Sequence, residues 1–505
     1  MLDLTSLISF FVLGVIGWAT YKMYIWPVYL SPLRKIPGPP FESLFYGNYK
    51  KFMKEEVNEP QLELTKKYGN IVKYYEIFNQ PALLITDTTI VQDITLSHSY
   101  DYIKPVNILS DSVAFIGNGL ALSEGNVHKR QRKMMNPAFT YSNIKNMVPT
   151  FTRIASKLIS VITEDTINLG ESKIKIAPYL SKATLDIIGL VGFNYEFNTL
   201  TSPNELANAY NAIVTPPTIL HFMLGRLAYY FPMVRSIPIE INKNFVNACA
   251  VIDRESKNLV KRKLKEADIG ELKGDDLLSV LININKTLPI EEKLTDEELK
   301  NQIMTFLLAG HETTSTSTSW AIYLLARHPH MQDILREEIN KAFPDKSNFN
   351  PTFDEINSLE YLNGVVKETL RLHSPVTMIR RTNIKDKVYG NYFIPKYTPI
   401  MISTMGLHKS TEIWGPTAAE FDPKRWLDPT LTKNISNLSF LPFNTGARGC
   451  IGNKLALAEF KILLSNLIRN FVFRPTDEGF QSKTRTFVSS KPDSHFEFKI
   501  SRVES

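Results

Sequence analysis

Phe443-Asn444-Thr445-Gly446-Ala447-Arg448-Gly449-Cys450-Ile451-Gly452 is the stretch whose reading decides the fold of this chain. It has the pattern F-x-x-G-x-R-x-C-x-G and runs into a helical repeat, with Leu455, Ala458, Ile462, Leu463 and Leu467 near one face. A cysteine at the mouth of a helix is easily held as thiolate, because the helix dipole and unpaired N–H groups favour negative charge there. Gly446 and Gly449 let the backbone turn without Cβ clashes, and Gly452 lets a flat ligand lie close to the helix. Arg448 offers a cationic fork to a carboxylate. These groups together suit a haem, with sulfur on the iron and a propionate on the arginine. The plainer alternative is a small buried hydrophobe in a glycine-rich loop, the common fate of a lone cysteine.

Composition sets the frame around this loop. With 505 residues, 43% hydrophobic and 22% charged, the chain is globular and buries a large core. Length alone suggests about three domains, but no linker-like break follows the first forty residues, so a single catalytic domain is expected over 41–505. The net charge of +7 is spread along the chain and does not imply nucleic-acid binding. Cys249 and Cys450 are the only two cysteines, which excludes a disulfide framework and fits a reducing compartment.

Leu4 to Trp26 is nearly all apolar, with an uninterrupted core from Leu7 to Ala19. That core alone is short for a membrane span; Tyr21, Tyr24 and Trp26 extend it as an interfacial belt, with Lys22 snorkelling. A cleaved signal peptide carries positive charge before its apolar run, whereas only Asp3 is charged there. Arg34, Lys35, Lys50 and Lys51 follow the run and place that side in the cytosol. The expectation is a single-pass anchor over 1–30, then a stiff proline hinge over 31–40 carrying Lys35-Ile-Pro-Gly-Pro-Pro40.

Ile71–Tyr75 and Ala82–Thr86 read as strands about the turn Asn79-Gln80-Pro81. His128 to Lys133 opens a basic helix ending near Asn136-Pro137. Phe151 to Asp276 reads as helical; within it the proline-broken apolar stretches Thr215–Leu224 and Leu227–Met233 default to packed core, and the lysine-rich Val260–Lys265 to surface. Thr295-Asp-Glu-Glu298 is a capping box that launches a helix to about Arg327, before His328-Pro329. Its centre is Ala309-Gly310-His311-Glu312-Thr313-Thr314. A mid-helix glycine costs up to ~1 kcal/mol, and a carboxylate in an apolar helix costs more unless satisfied. Either this is a kinked core helix, or Ala309-Gly310 opens a groove for dioxygen with Thr313 and Glu312 relaying protons. Glu368-Thr-Leu-Arg371 puts carboxylate and guanidinium on one helix face, and Arg425 follows in Phe421-Asp-Pro-Lys-Arg-Trp426.

In these motifs and their order the chain resembles the cytochrome P-450 family of haem-thiolate monooxygenases, from Pro37 to about residue 500, in its microsomal eukaryotic type. The resemblance implies a mostly α fold with a small β-rich lobe, haem b held by Cys450 as axial iron ligand, and a haem seat that includes Phe443, Arg448 and Gly452. It implies propionate contacts from Arg132 and Arg381, and from His128 where the family usually has tryptophan. Ala309, Gly310, Glu312 and Thr313 correspond to its oxygen-activation motif, and Glu368, Arg371 and Arg425 to a buried structural triad. The stretch Thr215–Met233 corresponds to the segment that dips into the bilayer beside the substrate entrance, and Thr486-Phe-Val-Ser489 to a hairpin tip over the substrate. The implied reaction inserts one atom of O2 into a hydrophobic lipid, sterol, terpenoid or xenobiotic. Its electrons come from NADPH through a flavoprotein reductase, steered by Lys129, Arg130, Lys133 and Lys454. The implied place is the endoplasmic reticulum membrane with the catalytic domain cytosolic. The same fold also serves isomerases, dehydratases or peroxygenases needing no external electrons, and a haem sensor would need no oxygen motif.

Overall fold

The computed structural model describes residues 4–503 except 55, 57, 106–111, 168–169, 171, 215–218, 273, 346–347, 434, 478, 487–488 and 494. The fold is mostly helical with small sheets, and it divides into two compact units. One comprises Met1–Pro105, Thr377–Ala418 and Ser436–Gly449; the other comprises Val106–Val376, Ala419–Ile435 and Cys450–Ser505.

The first unit opens with α1 (Leu4–Thr20), which continues as π-helical backbone over Tyr21–Leu30. Together they form an apolar helix of 27 residues with mean hydropathy 1.7, and no residue of α1 is buried. The proline segment that follows is pinned down. Lys73 N–H donates to the Pro37 carbonyl at 2.8 Å, and a Cβ on Gly38 would meet Lys73 O at 1.9 Å. Lys73 belongs to β1 (Ile71–Tyr75), which pairs antiparallel with β2 (Pro81–Ile85), one residue off the expected boundary. Proline at the first position of β2 sacrifices no central ladder bond. With β3 (Tyr102–Ile103), β4 (Met378–Asn383) and β5 (Pro399–Ser403) these make a five-stranded sheet ordered β1-β2-β5-β4-β3. Only the β2–β5 pairing is parallel. Its two faces bury Leu83, Ile85, Ile379, Ile400 and Ile402 on one side and Val72, Tyr74, Leu84 and Met401 on the other.

The second unit contains α2 (Gly125–Met135), α3 (Tyr141–Ile162), α4 (Ile176–Phe193), α5 (Glu240–Asp268), α6 (Asp296–Arg327), α7 (Glu360–Leu372) and α8 (Asn453–Asn470). The capping box is present: Glu298 N–H donates to Thr295 Oγ1 at 3.2 Å, and Thr295 N–H to Glu298 Oε2 at 3.0 Å. The helix it starts runs 32 residues, about 48 Å, and ends where His328-Pro329 stops it. Near that end Trp320 stacks on His373 with ring centroids 4.1 Å apart.

Three sequence expectations fail here. Helix α8 is not amphipathic but buried on every side from Ala458 to Arg469. The lysine-rich segment is not plain surface, because Lys263 is fully buried and its ammonium lies 2.8 Å from Asp276 and 3.0 Å from Ser279 Oγ. The stretch Leu227–Met233 is not core: Leu227, Tyr229, Tyr230, Phe231 and Met233 are exposed. Residues 215–218 of the neighbouring stretch lie outside the described residues.

The buried α8 carries Lys461, whose ammonium donates to Asn357 Oδ1 at 2.6 Å. Burial, and then the charge of Lys367, push it down to about 8. Below that pH the lysine is charged in both folded and unfolded chains, so the burial penalty is fully felt. As pH rises from 8 towards the unfolded value the folded chain sheds the proton first, and the penalty fades. Lys461→Met should therefore stabilise at pH 7 by roughly 3 kcal/mol at most, less about 1 for the lost bond to Asn357. Denaturant midpoints of both proteins at pH 7 and above pH 10 check this; a gain that does not shrink with pH would refute it.

Candidate active site

Cys450 lies three residues before α8, and the nearby Gly452 N–H and the Arg132 guanidinium both favour its thiolate. Closely surrounding protein outweighs them and pushes the thiol up, although Cys450 as a residue is exposed. The helix mouth by itself thus does not deliver the thiolate expected from the sequence; a metal bound at the sulfur would, because a coordinated thiol is deprotonated outright. Gly452 sits at φ −91°, open to any residue, and a Cβ there would meet only Phe139 at 3.7 Å. Neither backbone nor packing calls for glycine, so the bare surface beside Cys450 is room for a flat ligand. Gly446 differs: its φ is +70° and a Cβ would strike Thr95 O at 2.1 Å. Gly449 is extended at φ −63° and makes no special turn.

In the first unit, Arg448 donates from Nε to Ser99 O at 3.2 Å and lies 4.9 Å from the Tyr100 ring centroid. Phe443 in the same loop is half-buried, and Asn444 at φ 57° braces the turn by donating to Arg448 O at 3.2 Å. Adjacent positions of a strand face opposite ways. On β4, Arg380 turns to Glu76 at 3.1 Å, while the half-buried Arg381 bonds back to the Arg380 carbonyl at 2.7 Å. In the second unit, His128 is buried in α2 and Arg132 is half-buried, with Nε on Asn136 at 3.0 Å. Arg130 is not a free surface cation: it is ion-paired with Glu298 and donates to Lys293 O at 2.6 Å.

The centre of α6 is buried on nearly all sides, yet Ala309 is exposed and Gly310 and Thr313 are partly so. Thr313 Oγ1 donates to Ala309 O at 2.8 Å, one turn back on that open face. Gly310 has a packing reason of its own, since a Cβ there would meet Ile188 of α4 at 2.8 Å. The groove expected at Ala309-Gly310 is therefore open at Ala309, while α4 fills the space beside Gly310. His311 points away, against Tyr210 at 5.6 Å, and burial pushes its imidazole down towards the neutral form. Glu312 is buried and satisfied: Ser489 Oγ donates to Oε1 at 2.7 Å, and Lys491 Nζ lies 3.2 Å from the same oxygen. Both partners sit at a hairpin of β6 (Thr484–Thr486) and β7 (Ser490–Pro492). Sequence reasoning placed a hairpin tip there but missed both partners; residues 487–488 of that tip lie outside the described residues.

Glu368 gathers a cage of donors. Arg371 grips it with two bonds, Nε to Oε2 at 2.8 Å and Nη2 to Oε1 at 2.7 Å, and also donates to Glu420 O at 3.0 Å. Arg425 Nε reaches Oε1 at 3.3 Å, Trp426 Nε1 reaches Oε2 at 2.9 Å, and Asp422 N–H adds 3.2 Å. Glu368, Arg371 and Arg425 are all buried. Trp426 and the two backbone contacts were not legible in the sequence.

The family model for cytochrome P450 matches residues 37–500. Cytochrome P450 monooxygenase 128 of Postia placenta is 36% identical, over 91% of this chain and 90% of its own length. Cytochrome P450 monooxygenase 205 of the same fungus is 35% identical, over 95% and 94%. Cytochrome P450 monooxygenase sphH of Aspergillus fumigatus is 32% identical, over 96% and 91%. A match running from the proline segment through the last strand, with relatives alike over nearly their whole length, covers both compact units at once; the chain belongs to the cytochrome P450 family and is a haem-iron monooxygenase.

Proposed function

We propose that this monooxygenase inserts one atom of O2 into a hydrophobic small molecule, of lipid, sterol, terpenoid or xenobiotic kind. Its electrons come from NADPH through a flavoprotein reductase. Residues 1–30 anchor it in the endoplasmic reticulum membrane, 31–40 form the hinge, and 41–505 make a cytosolic catalytic domain. The observation that carries the oxygen chemistry is the open face of α6 at Ala309 and Thr313, backed by a buried Glu312 whose Oε1 is held by Ser489 and Lys491.

Cys450 would hold the iron of haem b, and Gly452 and Phe443 would belong to its seat. Arg132, His128, Arg448 and Arg381 are assigned to its acid groups. Haem held by thiolate supplies the oxygen chemistry, the sulfur favouring O–O cleavage. The chain's own part is position, insulation and protons. Thr313 holds a proton at Oγ1 on the open face of the helix. Glu312 is the adjoining acid, and the partly exposed ammonium of Lys491 links its carboxylate to solvent. Glu368, Arg371 and Arg425 hold the backbone at Glu420 and Asp422 in place. For the reductase, Lys133 offers a well-exposed cation even with Glu292 at 3.4 Å, and Lys129 and Lys454 are exposed as well; Arg130 is removed from that set by Glu298.

Thr313→Ala tests the reading. The variant should fold, bind haem and still consume NADPH, while product per NADPH falls roughly tenfold and hydrogen peroxide accounts for the difference. Unchanged coupling would remove Thr313 from its role. Full turnover of the wild type without NADPH would overturn the monooxygenase reaction in favour of an isomerase or dehydratase.

A further inference from the structure

His408 is a fully buried imidazole with no part in the oxygen chemistry. It ends the short helix Thr404–His408 that follows β5, and its Nε2 accepts the backbone N–H of Leu441 at 2.8 Å. A ring nitrogen that accepts carries no proton of its own, so the neutral ring holds its proton on Nδ1. The donor needs this partner. From Phe440 to Thr445 the chain is neither helix nor strand, so no ladder takes up its N–H groups, and Pro442 has none to offer. Leu441 is only 2% exposed, which denies its N–H to water. A buried donor left unmet keeps its whole desolvation penalty.

This bond is the first in a line that leads to the cysteine. The Leu441 carbonyl accepts the N–H of Asn444 at 3.2 Å. Asn444 stands at φ 57°, and its Nδ2 donates to the Arg448 carbonyl at 3.2 Å. Arg448 is two residues before Cys450. Three bonds thus run from His408, through the turn Leu441–Asn444, to the backbone beside the sulfur. Their starting point is itself fixed. Thr404 N–H donates to the Thr377 carbonyl at 3.1 Å and Gly406 N–H to Ser403 Oγ at 3.0 Å, which hold the short helix at the end of β5. Trp414 Nε1 donates to the Leu407 carbonyl at 2.9 Å, and the Phe440 ring lies 5.3 Å from the His408 ring. Every residue of the line from His408 to Arg448 belongs to the first unit.

We infer that His408 is a positioning residue for haem ligation. By taking the Leu441 N–H it sets the turn that carries Phe443 and, through Asn444, the backbone that presents the Cys450 sulfur. It acts through the loop alone. The inference rests on the reading of Cys450 as the iron ligand. The rival is a plain core histidine, whose loss would lower stability and leave the bond between sulfur and iron as it was.

Two substitutions in the full-length holoprotein separate the ring from the acceptor. His408→Phe keeps a ring against Phe440 and removes the acceptor. His408→Gln removes the ring and returns an acceptor oxygen near the place of Nε2. The readouts are the red-shifted fraction of the reduced carbon-monoxide complex and the rate of haem transfer to an apoglobin; helix content and the denaturant midpoint report folding. His408→Phe should lose haem several-fold faster with a smaller red-shifted fraction, and His408→Gln should restore both. Asn444→Gly keeps the left-handed turn, deletes the far bond of the line and should move both readouts the same way. Two cuts in one line do not add, so the double variant should be no worse than the worse single. A folded His408→Phe with the wild-type band and haem retention would overturn the inference, and so would effects of the two substitutions that simply add. Should His408→Phe fail to fold, His408→Gln decides: a folded variant with the wild-type band bears the inference out, and one without it overturns it. A wild type lacking the red-shifted band would overturn the reading of Cys450, and the inference with it.

Discussion

Arg371→Met should destabilise the protein by about 3–5 kcal/mol, because it strands the buried Glu368 carboxylate. The size follows from the cage rather than from the pair alone. Arg371 supplies two of the five donors described on Glu368, and Glu368, Arg371 and Arg425 are all buried. Removing it leaves Arg425, Trp426 and one backbone N–H to satisfy the carboxylate, and it frees the Glu420 carbonyl at the same stroke. An exposed ion pair would give under ~1 kcal/mol, so the measurement separates the two situations cleanly. Urea denaturation of the holoprotein, with haem absorbance and helix content followed together, should show an earlier midpoint and poor haem retention. Arg371→Lys should recover little, since a point charge cannot reproduce the two-pronged grip. A loss near 1 kcal/mol in both variants would mean that water reaches Glu368 and that the cage is not what holds the Glu420–Trp426 segment.

That cage also shows where sequence stops being informative. The pair Glu368 and Arg371 is three residues apart on one helix, so helical geometry alone put them on one face. The capping box at Thr295 and the strands Ile71–Tyr75 and Pro81–Ile85 were legible for the same reason: each is fixed by bonds within a few residues. Trp426 on Glu368 and Ser489 with Lys491 on Glu312 are 58 to 179 residues away in sequence. Such partners leave no local pattern, only the requirement that a buried carboxylate find donors somewhere. The same blindness made Lys263 look like surface, because Asp276, its counter-charge, lies outside its own helix. It also made Arg130 look like a docking charge, because Glu298 starts a different helix. Gly310 gives the opposite lesson. A motif named the residue, but the atom that needs the missing Cβ is on Ile188, which no window around Gly310 contains.

Cys450→Ser should fold and yet lose catalysis by at least roughly 10³-fold, equal to about 4 kcal/mol of barrier. Folding is expected to survive because Cys450 lies outside the Glu368 cage and before the buried length of α8. Catalysis is not, because an alcohol is a harder and far weaker acid than a thiol and cannot supply a soft anionic ligand to iron. The surroundings sharpen the contrast. Burial works against charge at this position and outweighs the Gly452 N–H and Arg132, and a hydroxyl ionises far less readily than a thiol in the same place. The readout beyond activity is the reduced carbon-monoxide complex, whose red-shifted Soret band reports sulfur on the iron. It should vanish in Cys450→Ser and persist in Cys249→Ser, since Cys249 lies within α5, away from any glycine-rich loop. Arg132→Gln adds a graded test, because it removes one of the two groups favouring the thiolate while leaving the sulfur: the band should remain, with weaker haem retention. A red-shifted band that survives in Cys450→Ser and disappears in Cys249→Ser would move the axial ligand to α5 and undo the assignment of the loop from Phe443 to Gly452 as the haem seat.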